Sequence, residues 1–236
     1  MTFQLGLQAR DGIVLASDCL FQEFNEYGER DVSYGSKFLF GAGVVCCYSG
    51  DKVSEYAANN VRAIDWASVP NEIESIRQCL KDCGNSAWKQ WERETGTAFH
   101  AIRKIIVVCH DMLWLLEVSE SPLANQRHDR VVAGDAPNTA RHIINRYAEV
   151  CQDMSMHRLI GLAAYTVICA GDENPRGVGG LEVVIVPKGS AARALTVQQR
   201  EQLQAHAVAL GRSMRESLLA TFDLRENSGA DTGASP

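Results

Sequence analysis

Apolar and polar residues alternate from the first positions of the chain. Phe3, Leu5 and Leu7 fall on one side of residues 2–8, and Thr2, Gln4, Gly6 and Gln8 on the other. That is the period-two pattern of a strand. Arg10-Asp11-Gly12 follows, and Asp-Gly is a hairpin signal. The continuous run Ile13-Val14-Leu15-Ala16 predicts a second strand over 12–18, covered on both faces. Residues 19–35 are polar and read as a connection. Residues 37–42 and 44–48 predict a second hairpin, turning at Gly41-Ala42-Gly43.

Ser49-Gly50-Asp51 ends that strand and supplies a helix cap. Beyond it the period becomes helical. Val53, Tyr56, Ala57, Val61 and Ile64 make one apolar stripe, and Ile73, Ile76, Leu80, Cys83, Ala87 and Trp91 make another over 71–94. Strands return at 102–109 and 112–118 across a tight His110-Asp111 turn, then at 130–134. Asp135 is placed to cap the next helix, whose buried face is Ile143, Ile144, Tyr147 and Cys151. A helix over 156–170 stops at Gly171, and an apolar strand covers 180–186. Thr196-Val197-Gln198-Gln199 has the form of a capping box ahead of a final helix.

The expected order is four strands, two helices, three strands, two helices, a strand and a terminal helix. Grouped strands and grouped helices argue for an α+β chain with antiparallel sheets. Helices that arrive in pairs suit two stacked sheets with a helix pair on each outer face, a four-layer α/β/β/α sandwich. No repeat or linker divides the chain, so 1–224 reads as one domain. Residues 225–236 are small and polar and read as a disordered tail.

Composition removes several functions. The net charge is −6 with no basic stripe, which argues against nucleic-acid binding. No apolar run matches a membrane span, and the opening residues lack signal-peptide regions, so the expected compartment is the cytoplasm. Eight cysteines are present, expected there as reduced, mostly buried thiols. Cys79 and Cys83 lie one helical turn apart, but no second pair completes a metal site. No His pair has ligand spacing. The chain is read as needing neither metal nor organic cofactor.

Four residues carry candidate chemistry. Thr2 follows the initiator Met1, and removal of Met1 would leave a hydroxyl and an α-amine on one residue. Such an amine has a reference pKa of roughly 8 and activates a weak hydroxyl nucleophile. Asp18 ends one predicted strand and Lys37 begins another. A protonated Lys beside Thr2 would stabilise negative charge on its oxygen and lower the amine's pKa. Gly50 stands at a strand-to-helix junction, where a backbone N–H can meet an oxyanion.

Taken in order, these motifs resemble the proteasome β-subunit family, including its bacterial ring-protease relatives. The likeness runs through Thr2-Phe3-Gln4-Leu5-Gly6-Leu7, then Asp11-Gly12-Ile13-Val14-Leu15-Ala16-Ser17-Asp18. It continues at Ser36-Lys37-Phe38 and Tyr48-Ser49-Gly50-Asp51, and reaches Val132-Ala133-Gly134-Asp135 and Val178-Gly179-Gly180. It implies an N-terminal-nucleophile (Ntn) hydrolase: a threonine-type endopeptidase with Thr2 as nucleophile and its amine as base. Asp18 and Lys37 would orient and polarise Thr2, and Gly50 would bind the oxyanion. Asp135 stands where the family has a Ser near the amine, and Asp172 matches the family's Asp. Val178 falls near a second Ser position and has no hydroxyl. By the same resemblance Phe21, Leu39, Tyr48 and Val53 would line an apolar specificity pocket. Implied partners are peptides or unfolded proteins, a homo-oligomer of stacked rings, and an ATP-dependent unfoldase that no residue identifies. Two rival readings share the fold: a catalytically degenerate scaffold subunit, and an Ntn amidase acting on a small molecule.

Overall fold

The computed structural model describes residues 2–24, 30–97, 101–134 and 138–227. Six strands come first: β1 (Phe3–Ala9), β2 (Gly12–Ser17), β3 (Leu20–Phe24), β4 (Arg30–Tyr34), β5 (Phe38–Gly41) and β6 (Val44–Cys47). Helices α1 (Lys52–Arg62) and α2 (Ile73–Thr95) follow. Then come β7 (Arg103–Cys109), β8 (Met112–Val118), β9 (Leu123–Arg127) and β10 (Arg130–Gly134). Helices α3 (Asn138–Cys151) and α4 (Met156–Glu173), strands β11 (Glu182–Pro187) and β12 (Arg193–Ala194), and helix α5 (Val197–Asn227) complete the order.

Two five-stranded sheets result, β10-β1-β2-β11-β12 and β5-β6-β7-β8-β9, with β3-β4 as a separate hairpin. Every pairing is antiparallel. The chain is α+β. Three pieces differ from expectation. The β3-β4 hairpin lies in the segment read as a polar connection, and β9 and β12 add strands to the two sheets. Two of them have little burial: β9 buries Ala124 alone and both residues of β12 are exposed. Strands without an inward apolar face leave no period-two signal. α4 also runs through Gly171 to Glu173, since its C-cap is Asn174.

Side-chain packing divides into three groups. Phe3, Leu5, Leu7, Val14, Ala16, Val183 and Ile185 pack with Ile144 of α3 and Leu159, Ala163 and Val167 of α4. Cys46, Ile105, Val107, Trp114 and Leu116 pack with Val53, Ala57 and Val61 of α1 and Ile76, Leu80 and Ala87 of α2. Between the sheets, Ile13, Leu15, Val131, Val184 and Val186 of one meet Phe38, Val45, Cys47, Ile106, Val108, Leu113 and Leu115 of the other. Alternation explains this division, because successive residues of a strand face opposite ways.

Local chemistry fixes the ends of the elements. Asp51 is the N-cap of α1, its carboxylate accepting from Ser54 N at 3.0 Å. Thr196 and Gln199 form the reciprocal capping box, with N–H to side-chain oxygen distances of 3.0 and 3.2 Å. His110 and Asp111 both have positive φ, 49° and 57°, as a two-residue hairpin turn requires. All eight cysteines are free thiols. Among the described residues no helix is long and apolar enough to cross a membrane, and no cluster of metal-ligating side chains occurs. Asp135 and residues 228–236 lie outside the described residues.

Candidate active site

The register brings the candidate residues to one edge of the molecule. Gln4 of β1 stands opposite Ser17 of β2, so Thr2 and Asp18 leave the same end of the first sheet. Gly134, the last residue of β10, stands opposite Phe3. In the second sheet Phe38 stands opposite Cys47, so Lys37 and the Tyr48-Ser49-Gly50 segment are level. The site is the seam where these two sheet ends meet.

Asp18 is its anchor. Oδ1 accepts from Phe3 N at 2.8 Å, and Oδ2 accepts from Leu20 N at 3.1 Å and from Lys37 Nζ at 2.7 Å. The Lys37–Asp18 pair has no side-chain exposure on either partner. Burial pushes the Asp18 carboxyl above its ordinary range, while Lys37 and the two backbone N–H groups pull the other way. An uncompensated charge could not persist at this depth, so each ion requires the other. Lys37 Nζ also donates to Thr2 Oγ1 at 3.0 Å and lies 5.2 Å from the centre of the Phe21 ring, within cation–π range. Thr2 Oγ1 in turn donates to Ser49 O at 2.7 Å.

Five of the candidate residues therefore gather here: Thr2, Asp18, Lys37, Gly50 and Phe21. Gly50 has φ +84°, and a Cβ on it would lie 2.8 Å from Phe21 Cε1. The remaining candidates lie elsewhere. Asp172 is exposed on the last turn of α4. Val53 is 1 % exposed within the core beneath α1, and Leu39 and Tyr48 pack against that same core. Val178 is buried against the α4 side of the first sheet.

Other participants were not singled out from sequence. Ser17 Oγ is shared between Phe3 O at 3.2 Å and Asp18 O at 2.9 Å. Its alternation with Leu15 and Ile13, facing inward from β2, was the available signal. A cleft of about 380 Å³ opens beside Thr2, lined by Ser49, Asp51, Ile102, Arg103, Lys104 and Gly134. Arg103 pairs with Asp51 at 3.4 Å and Lys104 with Glu117 at 3.3 Å. Two adjacent cations beginning an otherwise apolar strand marked that cleft in the sequence.

Solved structures match this architecture over its whole length. Anbu from Hyphomicrobium sp. strain MC1, as its Gly-1 mutant, superposes with a TM-score of 0.67 at 11% identity, covering 100% of both chains. The chain has the fold of Anbu. Anbu from Yersinia bercovieri, described as an ancestral beta-subunit, gives 0.67 at 14% identity over 99% of this chain and 100% of its own. Anbu from Pseudomonas aeruginosa, described as a helical assembly of the Anbu complex, gives 0.66 at 14% identity over 99% and 98%. No protein-family model matches the sequence, and no curated protein does. These likenesses correct the family suggested by the motifs. The chain's structural relatives are Anbu proteins, related to the proteasome β-subunits but distinct from them. The motifs pointed past Anbu because short Thr, Asp-Gly and Ser-Gly-Asp patterns report strand ends that related folds share.

Proposed function

We propose that this chain is a threonine-type Ntn peptidase built on an Anbu-like four-layer α/β/β/α sandwich. The observation that carries the reading is the buried Asp18–Lys37–Thr2 chain of 2.7 and 3.0 Å contacts. Lys37 so held directs a proton at the Thr2 oxygen. Removal of Met1 would expose the Thr2 amine. The amine takes the hydroxyl proton, directly or through one water, as Oγ1 attacks the substrate carbonyl carbon. Lys37 stabilises the oxygen as its proton leaves. The Oγ1–C bond forms, the C–N bond breaks, and the proton passes from the ammonium to the leaving amine. Water, activated by the same amine, then cleaves the ester and returns Thr2. Gly50 N–H is assigned to the oxyanion, and Asp135, by the resemblance, to the surroundings of the amine. Phe21 is assigned to substrate contact.

The Pseudomonas Anbu described as a helical assembly supports an assembled state for this chain. We extend the reading to a homo-oligomer acting on peptides or unfolded proteins in the cytoplasm, a stable monomer in light scattering being the contrary result. One observation favours the scaffold alternative: Thr2 is only 4 % exposed, with its proton given to Ser49 O. Intact mass after treatment with a peptide epoxyketone separates the two. A morpholino adduct requires both the Thr2 hydroxyl and its free amine and supports the peptidase. An unmodified chain that has lost Met1 supports the scaffold.

A further inference from the structure

The Thr2 hydroxyl has one proton, and it points at the Ser49 carbonyl, 2.7 Å away. The Ser49–Gly50 peptide is trans, as is every described peptide bond. In a trans peptide the C=O and N–H point in opposite directions. Gly50 N–H is therefore turned away from the Thr2 oxygen. The donor assigned to the oxyanion faces the wrong way, and the proton that must reach a base is held by a backbone carbonyl. Both faults have one remedy, a half-turn of this single peptide plane.

The surroundings suit such a turn. Reversal changes ψ of Ser49 and φ of Gly50 and leaves the chain path on either side in place. Gly50 sits at φ +84°, a region that only glycine occupies readily, and reversal carries it to negative φ, open to every residue. The flanks are anchored independently. Tyr48 N donates to Lys37 O at 3.0 Å. Ser49 Oγ bonds to Asp51 and to Ser54 Oγ, and Asp51 caps α1 through Ser54 N. Neither anchor uses the Ser49 carbonyl or the Gly50 N–H.

Phe21 decides which way the plane rests. Its ring is wedged between two glycines, with Cε1 2.8 Å from a Cβ built on Gly50 and Cε2 3.2 Å from one built on Gly35. Lys37 Nζ holds it from a third side at 5.2 Å. We infer that the Ser49–Gly50 peptide is a two-position switch for Thr2, described here in its off position, and that Phe21 is the positioning residue that latches it. A substrate that displaces the ring releases the glycine, and the plane turns its N–H toward the scissile carbonyl. The hydroxyl proton is freed in the same movement.

This inference rests on the peptidase reading, and two experiments keep their failures apart. The first needs no chemistry. In a crystal structure of Gly50→Ala the added Cβ disfavours φ +84°, so the peptide is expected reversed, with Ser49 O off the Thr2 hydroxyl. If Ser49 O still accepts from Thr2 in that variant, the switch is overturned. The second uses the full-length assembly free and after reaction with a peptide boronate. The expected adduct has Gly50 N within hydrogen-bond distance of a boronate oxygen, and an adduct with the peptide unturned also overturns the switch. If no adduct forms although Met1 is absent, while Gly50→Ala is reversed, the switch stands and the peptidase reading falls. For Phe21 the readout is the approach to epoxyketone labelling. A lag whose first-order rate rises with inhibitor concentration to a plateau is expected, abolished in Phe21→Ala and retained in Phe21→Tyr. A lag unchanged in Phe21→Ala removes the latch.

Discussion

Lys37 has its whole side chain inside the protein and ends on a carboxylate and a hydroxyl. Replacing it by Met leaves Asp18 without its counter-ion, so that the carboxyl must take up a proton or stay as an unpaired buried charge, at a cost of about 3–5 kcal/mol. Urea unfolding should show that loss, and Asp18→Asn in the same chain should recover part of it. The opposite outcome is expected at Gln4. Its amide is fully buried, and among the described residues neither its nitrogen nor its oxygen has a partner. Gln4→Met removes that desolvation cost and should stabilise by about 1–3 kcal/mol, read as a rise in urea midpoint. Sequence exposed the polar residues at strand ends, because Thr2, Asp18 and Lys37 each punctuate an apolar run. It could not expose the part played by Ser49, whose contribution is a carbonyl. Any residue has one, and only its direction matters.

Among the elements, the hairpins and amphipathic helices were legible where one face is buried. The stripe Val53, Ala57 and Val61 is such a case, since all three are buried in the fold. β3 and β4 were not, because each has chiefly the other as partner. The end of β10 offers a direct test of how an element positions Thr2. Gly134 has φ +79°, and a Cβ there would lie 2.0 Å from Thr2 O. Gly134→Ala should cost roughly 1–2 kcal/mol from its backbone alone, with the contact adding to it. Because the start of β1 must move, Thr2 acylation should fall more steeply than melting temperature. Equal, proportionate losses in both would show that Gly134 serves only the fold.

Across the whole molecule, stability should have an alkaline limit set by thiols. Burial holds Cys46, Cys47 and Cys109 protonated well above their usual range and pushes Cys83 to about 12 and Cys19 to about 11. In the unfolded chain the same thiols lose protons near pH 8.5. Above that pH the native state binds more protons than the unfolded one, so unfolding becomes easier as pH rises. Below it the two states bind these protons equally and the term vanishes. Urea midpoints at pH 7, 9 and 10 should decline in that order, and Cys47→Ser should not be needed to see it.

The seam between the two sheet ends has a consequence for how this protein can change over time. Thr2 and Asp18 travel with one sheet, and Lys37 and Ser49 with the other. The apolar side chains between the sheets hold the two halves in alignment, together with the Lys37–Asp18, Lys37–Thr2 and Thr2–Ser49 bonds across the seam. A truncation there, such as Ile106→Ala, and one under the helices, such as Leu80→Ala, should each cost about 2–5 kcal/mol. Only the first should loosen the Lys37–Thr2 contact and slow labelling at a temperature where both variants remain folded. The flanks that carry the helices are thus free to drift in sequence so long as they stay oily. The interior that separates the sheets acts as a gauge block, and its volume sets the spacing of Thr2, Asp18 and Lys37.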